Sequence, residues 1–199
     1  MNDFYLRQES LHLDTDKTIV VIGAGGIGFN LTQYFAMAGV NNIYVFDNDV
    51  VEIHNLSRLA LPYSCIGKNK ATILSSMIKQ MRPDSEITGY PFKFNPDVID
   101  LNSIDIIVDC TDIHTVQLEN KKIADDNGIT YIKAGYNGRH ITITQSVEGW
   151  DVDDAPDGYT IIPSYISPAA IVASLTVDMI LNNNIKEVSC SLDDLMIVR

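Results

Sequence analysis

The stretch that decides the fold is Lys17-Thr18-Ile19-Val20-Val21-Ile22-Gly23-Ala24-Gly25-Gly26-Ile27-Gly28. Its first half is a β-branched run with no alternation of polar residues, the pattern of a parallel strand buried on both faces. Its second half places four glycines where that strand must turn. Residues 26–38 then carry Ile27, Leu31, Tyr34, Phe35 and Ala38 on one helical face. A phosphate-binding turn needs glycines so that the backbone can bend sharply and bring its N–H groups close to an anion, and the helix N-terminus adds partial positive charge. A merely tight strand-to-helix turn would use the same glycines, but the flanking strand and helix favour the phosphate reading.

Working outward, residues 42–46 form a second strand that ends at Asp47, 19 residues beyond Gly28. A carboxylate there can accept hydrogen bonds from both hydroxyls of a ribose. The spacing predicts a helix over 68–81 stopped by Pro83, a strand over 86–90, a third buried strand over 104–109 and a helix over 115–127 closed by Gly128. Strands follow at 130–134 and 141–147, the latter alternating Ile and Thr as a half-exposed strand does. Residues 148–158 hold five acidic residues in eleven and read as an exposed loop. Ser167-Pro168 would open the last helix as N-cap and first-turn proline, and the tail would make one or two short strands. The alternation implies an α/β fold: a Rossmann-like, doubly wound, mostly parallel sheet with antiparallel strands toward the C-terminus.

The 199 residues suit one domain, with 46% hydrophobic and 20% charged residues. A net charge of −12 disfavours nucleic acid and anionic lipid as partners, although local donors can still hold a small anion. Cys65, Cys110 and Cys190 are odd in number and contain no CxxC pair, which excludes an internal disulfide framework and a cysteine zinc site and points to a cytoplasmic setting. The N-terminus lacks the apolar segment of a signal peptide. Residues 168–181, the longest apolar run, are interrupted by Ser174, Thr176 and Asp178 and fall short of the ~20 residues of a membrane span. His12, His54, His114 and His140 show no ligand spacing.

The glycine turn and Asp47 alone fit NAD or ATP equally. What separates them is the segment from Asp47 to Arg58 (DNDVVEIHNLSR), followed by Gly67-Lys68-Asn69-Lys70-Ala71 and by Asp109-Cys110-Thr111-Asp112 at the end of the third strand. With the glycine turn, these resemble the ThiF/MoeB/HesA family, the ubiquitin-activating-type adenylating enzymes, whose pattern is G-x-G-G-x-G, D-x-D-x-V-x-x-x-N-L-x-R, G-x-x-K-A and D-x-x-D. The resemblance runs from about Tyr5 to the last helix. It implies that ATP and a carboxylate give an acyl-adenylate and pyrophosphate, the carboxylate being the C-terminal glycine of a ubiquitin-like or sulfur-carrier protein.

By that resemblance Gly23, Gly25, Gly26 and Gly28 cradle the phosphates, Asp47 holds the ribose, and Asn55, Arg58 and Lys70 meet the phosphate oxygens. Asp112 would bind Mg²⁺, and Arg7, in Tyr5-Leu6-Arg7-Gln8, would reach the triphosphate of the neighbouring subunit of a homodimer. The residue types suit that chemistry, since Arg58 offers a planar fork for phosphate, Lys70 a point charge, and Asp112 a hard oxygen ligand at the carboxyl end of a strand. The chain departs from the pattern at Leu59, where glutamine is common, at Ile113, where asparagine is, and in lacking two CxxC pairs. The resemblance implies a single adenylation domain, with a nucleotide-binding core over 14–147, a short acidic crossover over 148–165 containing Trp150, and a C-terminal helix and strands over 166–199. Without an activated cysteine, adenylation without a covalent enzyme intermediate is expected. Adenylation of a short peptide or other small carboxylate, and a non-catalytic nucleotide-binding partner of a larger activating enzyme, are the alternatives.

Overall fold

In a computed structural model, which describes residues 3–148 and 163–195, seven strands form one sheet in the order β3-β2-β1-β4-β5-β6-β7. They are β1 Thr18–Ile22, β2 Asn42–Phe46, β3 Glu86–Tyr90, β4 Ile106–Asp109, β5 Thr130–Asn137, β6 His140–Thr144 and β7 Val188–Ser191. The helices are α1 Gly26–Ala38, α2 Lys70–Met81, α3 His114–Asp126, α4 Ile166–Leu181 and a single turn, α5 Leu192–Leu195. β1 to β5 pair in parallel, and β6 and β7 are antiparallel. This is the Rossmann-like architecture expected from the sequence.

Two apolar layers hold the sheet. Ile19, Val21, Ile43, Val45, Val108 and Ile132 face α1, α2 and α4. Val20, Ile22, Phe46, Ile107 and Tyr131 face the side of α3. Strands buried on both faces explain why 18–22 and 106–109 carry no alternation. Strand order reverses between β1 and β4, so the crevice for a ligand opens there, at the carboxyl ends of both strands.

Several boundaries differ from those expected. α2 begins at Lys70 rather than 68, because the Asn69 side chain caps it by accepting from Thr72 N–H. β4 begins at Ile106 rather than 104, since Asp105 instead exchanges hydrogen bonds with Thr18 through its side chain and backbone. β5 runs on to Asn137, where Gly138, at φ 57°, turns it into β6. β6 ends at Thr144, whose hydroxyl accepts from Ser146 N–H and so replaces the next ladder bond.

Ser167 is not the cap of the last helix. α4 starts two residues earlier, after Tyr165, with no side-chain cap, so Ser167 and Pro168 both lie in its first turn, where proline's missing N–H is harmless. After β7 the tail makes the turn α5 rather than a second strand, with Leu192 buried in the core. Apart from Glu148 and residues 163–165, the expected crossover, including Trp150, lies outside the described residues.

The N-terminal segment is tied to the body at the far end of α1. The Arg82 guanidinium lies 4.6 Å from the centre of the Phe4 ring and 4.4 Å from that of Tyr5. Arg82 also pairs with Asp84 at 2.9 Å and donates to the carbonyls of Ala36 and Met37. Tyr5 donates its hydroxyl hydrogen to Asp84, and Gln8 donates to the Ala38 carbonyl. No helix among the described residues is long and apolar enough to cross a membrane.

Candidate active site

The glycine turn is built so that an anion fits it. Gly23 has φ 91°, and a Cβ there would meet the Cys110 carbonyl at 3.2 Å. A Cβ on Gly28 would lie 1.8 Å from the Gly23 carbonyl oxygen, so the first turn of α1 can close on the loop only with glycine at that position. Gly25 caps α1 without a side-chain hydrogen bond, and the first turn has no acidic residue. A Cβ on Gly25 would meet nothing within 4 Å. The first turn of α1 thus carries neither a side-chain cap nor an acidic residue, beside open space at Gly25, and its N–H groups with the helix dipole behind them suit phosphate oxygens.

Asp47 lies directly against this turn. Its Oδ2 accepts from Ala24 N–H at 2.6 Å and its Oδ1 from Asp49 N–H at 2.7 Å. Burial pushes the carboxyl above the usual carboxylate range, opposed by the Asp49 N–H, the Lys70 ammonium and the Ala24 N–H. Each carboxylate oxygen has a second lone pair, so the position expected for a ribose partner is compatible with the cap that Asp47 places on the loop.

Lys70 reaches the same side of the crevice. Its ammonium pairs with Asp49 at 2.8 Å and is largely buried, while Asp49 is exposed. Asn69 Nδ2 donates to the carbonyls of both Asp47 and Asp49, so the start of α2 is tied to the end of β2. Arg58 approaches from the 3₁₀ turn Ile53–Ser57: its Cδ stands 3.0 Å from where a Gly26 Cβ would be. Asn55 is buried, and its Oδ1 accepts from Glu52 N–H within a reciprocal cap of that turn. Its carbonyl oxygen is therefore structural, and its amide nitrogen is the part that could meet an anion.

On the other side of the crevice, β4 ends at Asp109 and the chain passes Gly23 through Cys110 and Thr111 to the exposed Asp112. Asp109 is fully buried and accepts from Thr111 N–H and Oγ1–H, Asn120 Nδ2 and Tyr131 O–H. Burial pushes the Cys110 thiol up to about 12, so it is not a nucleophile at neutral pH. Among the described residues no three carboxylate, histidine or cysteine side chains cluster as a metal cage. A lone exposed carboxylate nonetheless fits Mg²⁺, which takes one or two carboxylates together with substrate phosphates and water.

Glycine turn, Asp47, Asn55, Arg58, Lys70 and Asp112 thus come from four separate segments to one end of the sheet. Arg7 does not join them. It is exposed on the segment packed at the C-terminal end of α1, and that helix of 13 residues sets it about 20 Å from the turn of its own chain. Three further residues shape the site without having stood out in the sequence. Asp49 was present in the D-x-D pattern, and Asn69 directly precedes Lys70. Lys133 is a lone lysine in an apolar strand pattern, Tyr131-Ile132-Lys133-Ala134.

Comparison with known proteins adds a lineage to this geometry. The sequence model of the ThiF family matches residues 7–150. The adenylyltransferase and sulfurtransferase UBA4 of Saccharomyces cerevisiae is 34% identical over 133 residues, which cover 63% of this chain and 29% of that protein. The Kluyveromyces lactis protein of the same description is 35% identical over 100 residues, 49% of this chain and 22% of that one. The match therefore spans less than a third of these relatives. E. coli MccB with ATP superposes with a TM-score of 0.72 at 18% identity, covering 89% of this chain and 64% of that one. The microcin C7 biosynthetic enzyme MccB with N-formylated MccA gives 0.74 at 18% identity, covering 90% and 63%. At such identity these structures establish a shared fold.

Proposed function

The chain belongs to the ThiF family, and from that premise we propose that it is an adenylyltransferase that uses ATP to activate a carboxylate, the C-terminal glycine of a ubiquitin-like or sulfur-carrier protein. The observation that carries this reading is the meeting of an uncapped, acid-free helix N-terminus with Lys70, Arg58 and Asp112 around one crevice. A dinucleotide site would account for the turn and Asp47 but has no use for two cations and a carboxylate at the phosphates.

In the proposed reaction a carboxylate oxygen attacks the α-phosphorus of ATP. The bond to the bridging oxygen breaks, and pyrophosphate leaves. Two anions must be brought together, so the barrier is chiefly electrostatic. The α1 N–H groups and Arg58 hold phosphate oxygens, and Lys70 is placed for the α-phosphate, exchanging part of its bond to Asp49 for one to the substrate. Asp47 orients the ribose. Asp112 would hold Mg²⁺, which supplies charge neutralisation on the phosphates. In a homodimer Arg7 would act on the partner's triphosphate, since its place at the far end of α1 keeps it from its own. Three cysteines without a disulfide accord with a cytoplasmic setting, and the burial of Cys65 and of the Cys110 thiol accords with an adenylate that is handed on without an enzyme thioester.

ATP–pyrophosphate exchange tests the proposal. Exchange should depend on an added carrier protein ending in glycine and be lost in Lys70→Ala and Asp112→Ala. Exchange supported instead by short peptides with free C-termini would assign the activity to small-carboxylate chemistry. ATP binding without exchange on any of these would favour a non-catalytic nucleotide-binding partner. Thermal stabilisation by NAD and not ATP would defeat the adenylation reading.

A further inference from the structure

Lys133 lies on β5 in register with Asp109 of β4 and is 1% exposed. A lysine is seldom buried so completely, because the ammonium loses its hydration. Its neighbours on the strand, Ile132 and Ala134, are ordinary core residues facing α1 and α4. Lys133 points to the opposite face, where Tyr131 also points. There its ammonium donates to the carbonyl oxygen of Thr111.

That carbonyl has a second donor, Gln117 Nε2 at 2.8 Å. The Thr111 N–H and hydroxyl are both held by Asp109 Oδ1, at 2.9 and 2.6 Å. Every polar group of Thr111 is thus anchored to buried side chains, one residue before the exposed Asp112. Burial lowers the pKa of the ammonium, and the nearby carboxylates of Asp109 and Asp112 oppose that by favouring its charged form. Thr111 also passes beside Gly23, with its nitrogen 3.6 Å from a Gly23 Cβ position. The tether therefore sets both the wall of the crevice and the direction in which Asp112 leaves it.

We propose that Lys133 is a positioning residue that, through the Thr111 carbonyl, fixes segment 110–112 so that the Asp112 carboxylate faces the metal-bound phosphates of ATP. The proposal rests on the adenylation reading for its ligand, but its structural half can be read without any nucleotide. An apolar side chain of lysine's length, as in Lys133→Met, would fill the space and leave the carbonyl one donor short. A hydrogen bond to a charged group contributes roughly a tenfold or larger factor in the equilibrium it controls.

Amide hydrogen exchange on the nucleotide-free protein is the first measurement. In Lys133→Met the Thr111 amide should exchange at least about tenfold faster, while amides in β1 and β2 keep wild-type protection. The second is calorimetric binding of ATP with and without Mg²⁺. Affinity in the presence of Mg²⁺ should fall about tenfold, and affinity in EDTA should change less than about twofold. A role in general stability alone would lower the melting temperature but leave the Mg²⁺ dependence untouched. Should Lys133→Met not fold, the pair Lys133→Met with Asp109→Asn removes both buried charges, and the same two readouts are compared with those of Asp109→Asn alone, so that the difference reports Lys133.

Wild-type protection at Thr111 together with a wild-type Mg²⁺ effect, in either variant, would overturn the proposal. Failure of the wild-type protein itself to bind ATP would defeat the adenylation reading instead, and faster exchange at Thr111 would still register the tether.

Discussion

The carboxylate of Asp47 and the backbone of Ala24 share a 2.6 Å hydrogen bond that joins the end of β2 to the loop after β1. The bond fixes the glycine turn before any nucleotide arrives, and it draws the carboxylate into a buried position. Burial raises its pKa above the ordinary value of 3.8. An acid whose folded pKa is raised holds its proton more tightly when folded, so its contribution to stability is present below the unfolded pKa and is lost as pH rises through the folded one. Chemical denaturation of wild type and Asp47→Asn from about pH 3 upward should show the wild type losing stability relative to the variant as pH climbs above about 4. A difference independent of pH would mean that Asp47 does not titrate differently in the folded state.

Gly28 and Gly25 should fail differently when each becomes alanine. The Gly28 Cβ would overlap the Gly23 carbonyl at 1.8 Å, so Gly28→Ala should destabilise the fold by about 3 kcal/mol, read from urea unfolding. The Gly25 position is open and has φ −77°. Gly25→Ala should cost less than about 1 kcal/mol and yet abolish thermal stabilisation by ATP, because the new methyl occupies the anion's space.

Arg7 is tested by complementation between chains. If the protein acts as a homodimer with Arg7 serving the partner's site, mixing Arg7→Ala with Asp112→Ala subunits should restore one working site per mixed dimer, about half the activity of the wild-type dimer, although each variant alone is inactive. Activity confined to wild-type homodimers, with none in the mixture, would argue against a role for Arg7 in the partner's site.

Cys110 should be inert in the native protein. Its thiol is pushed up to about 12 by burial, leaving almost no thiolate at about pH 8. Iodoacetamide followed by mass spectrometry should leave Cys110 unmodified until denaturant is added. Rapid native alkylation of Cys110 would reopen covalent chemistry at the end of β4.

Arg82 should be essential for the N-terminal segment. Arg82→Ala removes the cation between the Phe4 and Tyr5 rings, the pair with Asp84 and two bonds to the end of α1. A loss of about 3 kcal/mol is expected from charged hydrogen bonds and packing together. Limited proteolysis should then cut near Arg7, and any activity that requires Arg7 should fall with it.

Much of the fold was legible in order along the chain. The bounds of α1, β2 and β3 coincide with those expected, because each is set by local signals: glycine at both ends of α1, β-branched runs, and the chain reversal before β3. The end of β5 and the start of α4 were not legible, since they depend on the pairing of β5 with β6 and on the absence of a side-chain cap at Tyr165. For Asn55, expected to meet phosphate oxygens, the structure adds a second duty: its side-chain oxygen serves the turn it sits in, which leaves only the amide nitrogen for an anion. Sequence spacing cannot distinguish a side chain that meets a ligand from one that folds the loop presenting it.

By itself the sequence determined the strand-turn-helix at Gly23–Gly28, the doubly wound order that follows and the membership of a family, because hydrophobic period, glycine placement and motif order are properties of the chain read locally. The tertiary structure alone decided that Lys70 is paired with Asp49, that Lys133 is buried beneath Thr111, and that Arg7 stands a helix length from its own glycine turn. Those three facts depend on which strands become neighbours. Long-range pairing brings charges together across tens of residues, and no local period records the distance at which they meet.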